Sequence, residues 1–224
     1  LLERDTRDLE EAQRCREAQE RIDRLNASLR ELFRAAGARY EHATLENFQL
    51  TDKRQHAALA QLKAYRKRLG EHLTAGNGLL LYGPAGTGKD HLVVALARQA
   101  ILRHGCLVRY VSGPVLFRRL RQAIDEQADE WQVIARFVHA PLLVLSDPLP
   151  PAGQLTDYQA AMLYELIDRR NRQLRPTWAT LNVSSAVEAD QRLRPQIVDR
   201  LQDRALVVHC NWPSWRRPLK ETEV

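Results

Sequence analysis

A chain of 224 residues that is 44% hydrophobic and 28% charged can build one sizeable core and a small appendage, in proportions ordinary for a globular protein. No apolar run approaches the ~20 residues of a membrane span, and the opening "LLERDTRDLEEAQRCREAQE" is too charged for a signal peptide, so a cytoplasmic location is expected with no membrane contact. The formal net charge of +6 favours an anionic partner such as nucleic acid without requiring one, while Cys15, Cys106 and Cys210 lie far apart with no metal-binding spacing and read as reduced thiols.

Residues 1 to about 36 are rich in Glu, Arg, Gln, Ala and Leu and free of Pro and Gly. Ile22, Leu25, Leu29 and Leu32 recur at spacings of three and four, which predicts an amphipathic helix ending at Gly37. Its apolar stripe would pack on its own chain, on a second copy, or on another protein. A linker, "ARYEHATLENFQL", follows, and residues 52–73 read as a second amphipathic helix closed by "TAGNG".

From Gly78 the pattern changes to short apolar runs at 79–83, 107–112, 141–147, 177–182 and 205–210, separated by stretches long enough for crossover helices. Nearly continuous hydrophobic runs suit strands buried on both faces of a parallel sheet. The expected architecture is α/β, with a helical extension over 1–39 and one core domain over 40–224.

The run "LLLYGPAGTGKDHL", from Leu79 to Leu92, holds the pattern GxxxxGK between a predicted strand and a predicted helix. Gly83, Pro84, Ala85, Gly86, Thr87 and Gly88 would curl so that backbone N–H groups gather phosphate oxygens at a helix N-terminus, and Lys89 would supply a full charge to the β- and γ-phosphates. ATP with Mg²⁺ is therefore the expected ligand pair. A Ser or Thr normally follows the lysine and offers a hydroxyl to the metal, but Asp90 stands here. Aspartate also carries hard oxygen, and it is equally a favoured first-turn residue of a helix.

The second acidic element of a P-loop hydrolase, an apolar strand ending in two acids, has its best match in "LLVLSD". Ser146 occupies the metal-holding position and Asp147 the water-activating one. The two departures are complementary, so Asp90 and Ser146 are expected to share the metal, with Asp147 beside it. A site that binds ATP and turns it over slowly, or only binds it, is the competing reading.

In order along the chain, "HATLENF", "GPAGTGKDHL", "PLLVLSDPL", "RPTWATLN", "RPQIVDRL" and "VVHCNWPSWRR" resemble the AAA+ helicase loaders of the DnaC type and the related IstB-like ATPases that assist transposition. The resemblance covers about Tyr40 to Arg216. It implies a P-loop AAA+ core with a five-stranded parallel sheet, oligomers with ATP between subunits, and further roles: Asn182 as the sensor-1 asparagine, Arg200 as the arginine finger reaching a neighbour's site, Arg216 as the sensor-2 arginine, and His91 beside the loop. It also implies that "SGPVLFRRLRQAIDEQADEWQVIARF" adds an extra helix whose Arg118, Arg119 and Arg121 touch single-stranded DNA. The implied partner is a replicative helicase, or a transposase in the alternative. No full helical lid is expected after Arg216. Trp215 replaces the tyrosine of the closing motif. Each arginine, taken alone, also fits an ordinary solvated helix face.

Overall fold

The structure is a computed structural model and describes residues 2–216, with side chains from Gln13 onward. Leu1 and residues 217–224, the ends of the two expected domains, lie outside the described residues. Helix α1 (Leu2–Ala36) leads through a 3-10 turn (Ala38–Tyr40) and the linker to α2 (Lys53–Lys67) and α3 (Leu69–Ala75). Then come β1 (Gly78–Gly83), α4 (Lys89–His104), β2 (Val108–Ser112), α5 (Gly113–Asp125), α6 (Glu130–Val138), β3 (Leu142–Ser146), α7 (Asp157–Arg172), β4 (Thr177–Asn182), α8 (Ala186–Leu193), α9 (Pro195–Gln202) and β5 (Ala205–His209).

All strands pair in parallel, in the order β2-β3-β4-β1-β5. Each strand sends alternate side chains to opposite faces, as the two-residue period of a strand requires. Leu79, Leu81, Leu142, Val144 and Trp178 face α1, α2 and α4, whereas Leu80, Leu143, Leu145, Ala179 and Leu181 face α5 to α9. Both faces are covered at β1, β3 and β4, which is why these strands read as hydrophobic runs rather than alternating ones, while the edge strands β2 and β5 keep exposed positions. The stripe on α1 divides: Leu32 is fully buried and Leu25 and Leu29 are half-buried against the core, while Ile22 is 49% exposed.

One helical expectation is corrected. The segment 52–73 is not one helix. Arg68 leaves helical geometry (φ −109°, ψ 25°) and its N–H turns back to the Tyr65 carbonyl. Tyr65 and Leu69 are both buried, and Gly70 lets α3 come close to His104. The apolar spacing runs unbroken across the bend, so periodicity alone does not reveal it. The β2–β3 crossover holds two helices, one more than a simple crossover needs: Gln127 takes a left-handed conformation (φ 52°), and the Asp129 carboxylate accepts from the Trp131 N–H to start α6.

The end of α6 is held by a buried cation. Arg170, on α7, is 0% exposed. Its guanidinium donates to the carbonyls of Phe137 (2.6 Å), Val138 (3.1 Å), Ala140 (2.8 Å) and Pro176 (2.6 Å) and to the Thr177 hydroxyl (2.9 Å). Burial pushes its pKa down to about 9, still charged at neutral pH. Three of these carbonyls close the C-terminal end of α6, where helix partial charge favours a cation. Arg170→Met would leave them without donors. We expect a loss of about 3–5 kcal/mol in urea unfolding.

Candidate nucleotide site

The chain leaves β1 at Gly83, turns through the glycine-rich loop and enters α4 at Lys89, so the loop lies at the C-terminal edge of the sheet, where ligands of such sheets bind. Gly86 and Gly88 both take left-handed backbone conformations (φ 83° and 87°). A Cβ on Gly86 would lie 2.0 Å from the Ser214 hydroxyl, and one on Gly88 would lie 2.7 Å from the Phe48 ring. Both positions therefore need glycine twice over. The closing segment and the linker press on the loop from two sides. The Trp215 N–H donates to the Gly86 carbonyl (2.9 Å) and the Trp212 indole to the Thr87 carbonyl (2.8 Å).

Lys89 is buried, and its Nζ donates to the carbonyls of Gly83 (2.8 Å) and Pro84 (2.7 Å), with the Thr87 hydroxyl at 3.4 Å. Burial lowers its pKa from the ordinary lysine value; Cys210, Asp90 and Asp147 oppose that shift and Arg216 reinforces it. The buried Thr87 donates to the Pro84 carbonyl (3.1 Å), and Pro84 and Ala85 form the exposed crest of the loop.

Ser146 follows Leu142 and Val144 in strand parity and Thr180 follows Trp178, so both hydroxyls face α4 and its first-turn residue Asp90. Ser146 Oγ donates to Asp90 Oδ1 (2.8 Å), Thr180 Oγ1 donates to the same oxygen (3.0 Å), and the two hydroxyls are 3.4 Å apart. One carboxylate and two hydroxyls form a hard-oxygen set that fits Mg²⁺. Among the described residues no three His, Cys, Asp or Glu side chains converge as a metal site, so such an ion would complete its shell with phosphate and water. Thr180 was not singled out from the sequence. The signal was available, because it lies two residues before Asn182 on one face of a strand.

Asp147, the first residue after β3, takes a left-handed conformation (φ 44°). Its Oδ1 accepts the Asn182 backbone N–H (2.9 Å) and its Oδ2 the Asn182 side-chain amide (2.6 Å). Asn182 sits opposite Gly83 in the β1–β4 register, at the mouth of the loop. The first residue of α5 abuts this point: a Cβ on Gly113 would lie 2.5 Å from the Asp147 carbonyl and 2.4 Å from the Cα of Pro148.

A cavity of about 330 Å³ opens over the loop, a volume within the range of small-molecule sites. Lys89, Asp90, Asn182 and Arg216 line its polar end, and Tyr40 and Phe48 are among its aromatic walls. His91 also lines it, but its Nε2 contacts the Thr44 carbonyl (2.9 Å) and its ring lies 5.6 Å from Phe48, so it joins the linker to α4. The other expected residues lie elsewhere. Arg200 on α9 pairs in its own chain with Asp168 (3.1 Å) and Asp199 (3.4 Å). Arg118 and Arg121 are exposed on α5 and Arg119 is half-buried; among the described residues none of the three is ion-paired. Arg136 on α6 joins this basic face, its pKa lowered first by burial and then by repulsion from Arg119 and Arg109.

A parallel sheet of this order, with a lysine-bearing glycine loop after its first strand, defines a P-loop nucleotide-binding protein. The sequence model of one family, described as IstB-like ATP binding protein, matches residues 11–222. The chain belongs to that family, and ATP binding follows from the membership. Among curated relatives, the replicative helicase loader DnaC of Escherichia coli K12 is 24% identical over 189 residues, covering 82% of this chain and 74% of DnaC. An insertion-sequence ATP-binding protein of Mycobacterium tuberculosis is 30% identical over 187 residues, covering 80% of this chain and 70% of the relative. The fold matches the crystal structure of the DnaC helicase loader with a TM-score of 0.69 at 24% identity, covering 77% of this chain and 99% of that one. It matches AMPPCP-bound DnaA from Aquifex aeolicus at 0.59 and 18% identity, covering 75% and 49%. Among the described residues no helix is long and apolar enough to cross a membrane.

Proposed function

We propose that this protein is an ATP-hydrolysing AAA+ assembly factor that loads or remodels a partner on DNA, and that the partner is a replicative helicase. One observation carries the hydrolytic reading: Asp90 and Ser146, the two residues that depart from the usual pattern, hydrogen-bond to each other beside the phosphate loop. In this reading the carboxylate and the hydroxyl have exchanged places and the metal site survives. When bound, the ion would neutralise charge on the β- and γ-phosphates. Loop amides and Lys89 would bind the phosphates, Asp90 and Ser146 would hold the metal, and Asp147, oriented by Asn182, would accept a hydrogen bond and then the proton from an attacking water. Arg216 touches the nucleotide in its own subunit. Arg200 would leave Asp168 and reach a neighbouring copy's site, which requires a homo-oligomer. Arg118, Arg119 and Arg121, without ion pairs among the described residues, offer a basic face to the backbone of single-stranded DNA.

A transposition helper is the second reading, favoured by the family's description and by the insertion-sequence relatives. The test uses the full chain as bait with ATP and Mg²⁺, presented separately with the replicative helicase and the transposase of its own host, alongside a phosphate-release assay with and without single-stranded DNA. Helicase capture with turnover supports the proposal. Transposase capture replaces it with the second reading, and ATP binding without turnover reduces the protein to a nucleotide-stabilised adaptor.

A further inference from the structure

Arg192, on α8, lies outside the loop, the metal set and every motif of the sequence. Its side chain is only 19% exposed and joins α8 both to the loop after Asp147 and to Asn182. Nε donates to the Gly153 carbonyl (2.9 Å), Nη2 to the Pro150 carbonyl (2.7 Å) and Nη1 to the Asn182 carbonyl (3.3 Å). Glu188, one turn back on α8, takes a further Nη1 contact at 3.3 Å. The Arg192 carbonyl in turn accepts the Leu155 N–H (3.1 Å). The first two carbonyls belong to the loop that leaves Asp147, and the third belongs to Asn182 itself.

These contacts close a ring. It runs from the Asp147 carboxylate to the Asn182 amides, through the Asn182 carbonyl to the guanidinium, across to the Pro150 carbonyl and back along the chain to Asp147. Asp147 needs such support, since its left-handed backbone (φ 44°) is an uncommon conformation for a residue with a side chain. An i,i+4 ion pair with Glu188 alone would be worth little. The planar fork instead spends its donors on three carbonyls from two segments, a fit that a point charge does not reproduce.

We propose that Arg192 is a positioning residue that fixes the Asp147–Asn182 pair in place for attack by water. This rests on the reading of Asp147 as the water-positioning group. Displacement of such a group by about 1 Å costs on the order of 100-fold in rate.

The test compares the full-length wild type with Arg192→Met and Arg192→Lys. For Arg192→Met, kcat falls about 10- to 100-fold while the affinity for a non-hydrolysable ATP analogue stays within about twofold; Arg192→Lys regains part of the loss. In an Asp147→Asn background, Arg192→Met changes the residual turnover by less than about twofold, because the effect runs through Asp147. Amide exchange at Asn182, whose N–H is bonded to Asp147, accelerates in Arg192→Met, while exchange in α4 behind Lys89 does not change. Three results each overturn the proposal: unchanged exchange at Asn182, parallel losses of turnover and analogue binding, or full additivity with Asp147→Asn. A wild type that shows no turnover removes the hydrolytic reading alone, and the exchange measurement then decides whether Arg192 holds the pair.

Discussion

Lys89→Ala lowers the affinity for ATP in magnesium buffer by about 10- to 100-fold, read by titration of a fluorescent nucleotide. The substitution removes one charge-assisted contact, worth about 1.5–3 kcal/mol. The lysine is already placed to give it up to a ligand. Its Nζ is bonded to two loop carbonyls, at 2.8 and 2.7 Å, and both belong to the loop that would wrap the phosphates. Its charge is partly desolvated before any ligand arrives, so transfer to a phosphate oxygen carries a smaller new desolvation cost than an exposed lysine would meet. The pH dependence has a definite sign. Burial lowers the pKa, so the ammonium of the free protein is lost at a lower pH than for an ordinary lysine, and affinity falls as pH rises through that region. Lys89→Arg does not restore binding, because a planar fork does not fit where a point charge meets three converging oxygens. An unchanged titration for Lys89→Ala would remove the nucleotide from this loop.

The central strands were legible because a parallel sheet buried on both faces writes them as apolar runs, and "LLLYG" and "PLLVL" leave little else to read. Their ends shift by a residue where backbone geometry decides: Asp147, read as part of a strand, turns left-handed and leaves the ladder. The phosphate loop was legible from the spacing of Gly83, Gly88 and Lys89. What linear order hides is adjacency across the sheet. Ser146 and Thr180 are register partners because β3 lies beside β4, and no local pattern announces that. The same reason applies to Arg200. Asp199 is its neighbour in sequence, yet its shorter contact is to Asp168, 32 residues away on α7. It applies again to Arg170, whose carbonyl partners lie at the end of α6 and the start of β4. The kink at Arg68 was hidden differently, since both helices keep one apolar stripe through it.

Asp90→Asn separates the two readings of the unusual residue. Asparagine keeps a side-chain oxygen for the Ser146 and Thr180 hydroxyls, so the contacts at 2.8 and 3.0 Å survive and the fold is undisturbed. It removes only the charge. A carboxylate about 5 Å from a phosphate oxygen, at an effective dielectric near ~20, repels it by about 3 kcal/mol per charge pair. A divalent ion between them reverses that sign. The wild type should therefore lose about 100-fold in nucleotide affinity when Mg²⁺ is chelated, whereas Asp90→Asn should bind more weakly than wild type with the metal and lose less than about tenfold without it. The paired exchange Asp90→Ser with Ser146→Asp puts hydroxyl and carboxylate back in the usual order on the same two backbone positions. It should recover metal-dependent binding that Asp90→Ser alone lacks, because the number of negative charges around the ion is conserved and only their order along the chain has changed. Equal chelation ratios for wild type and Asp90→Asn would show instead that Asp90 serves the first turn of α4 and the sheet hydroxyls. The metal, if bound at all, would then have to be held by phosphates and water with no carboxylate from this position.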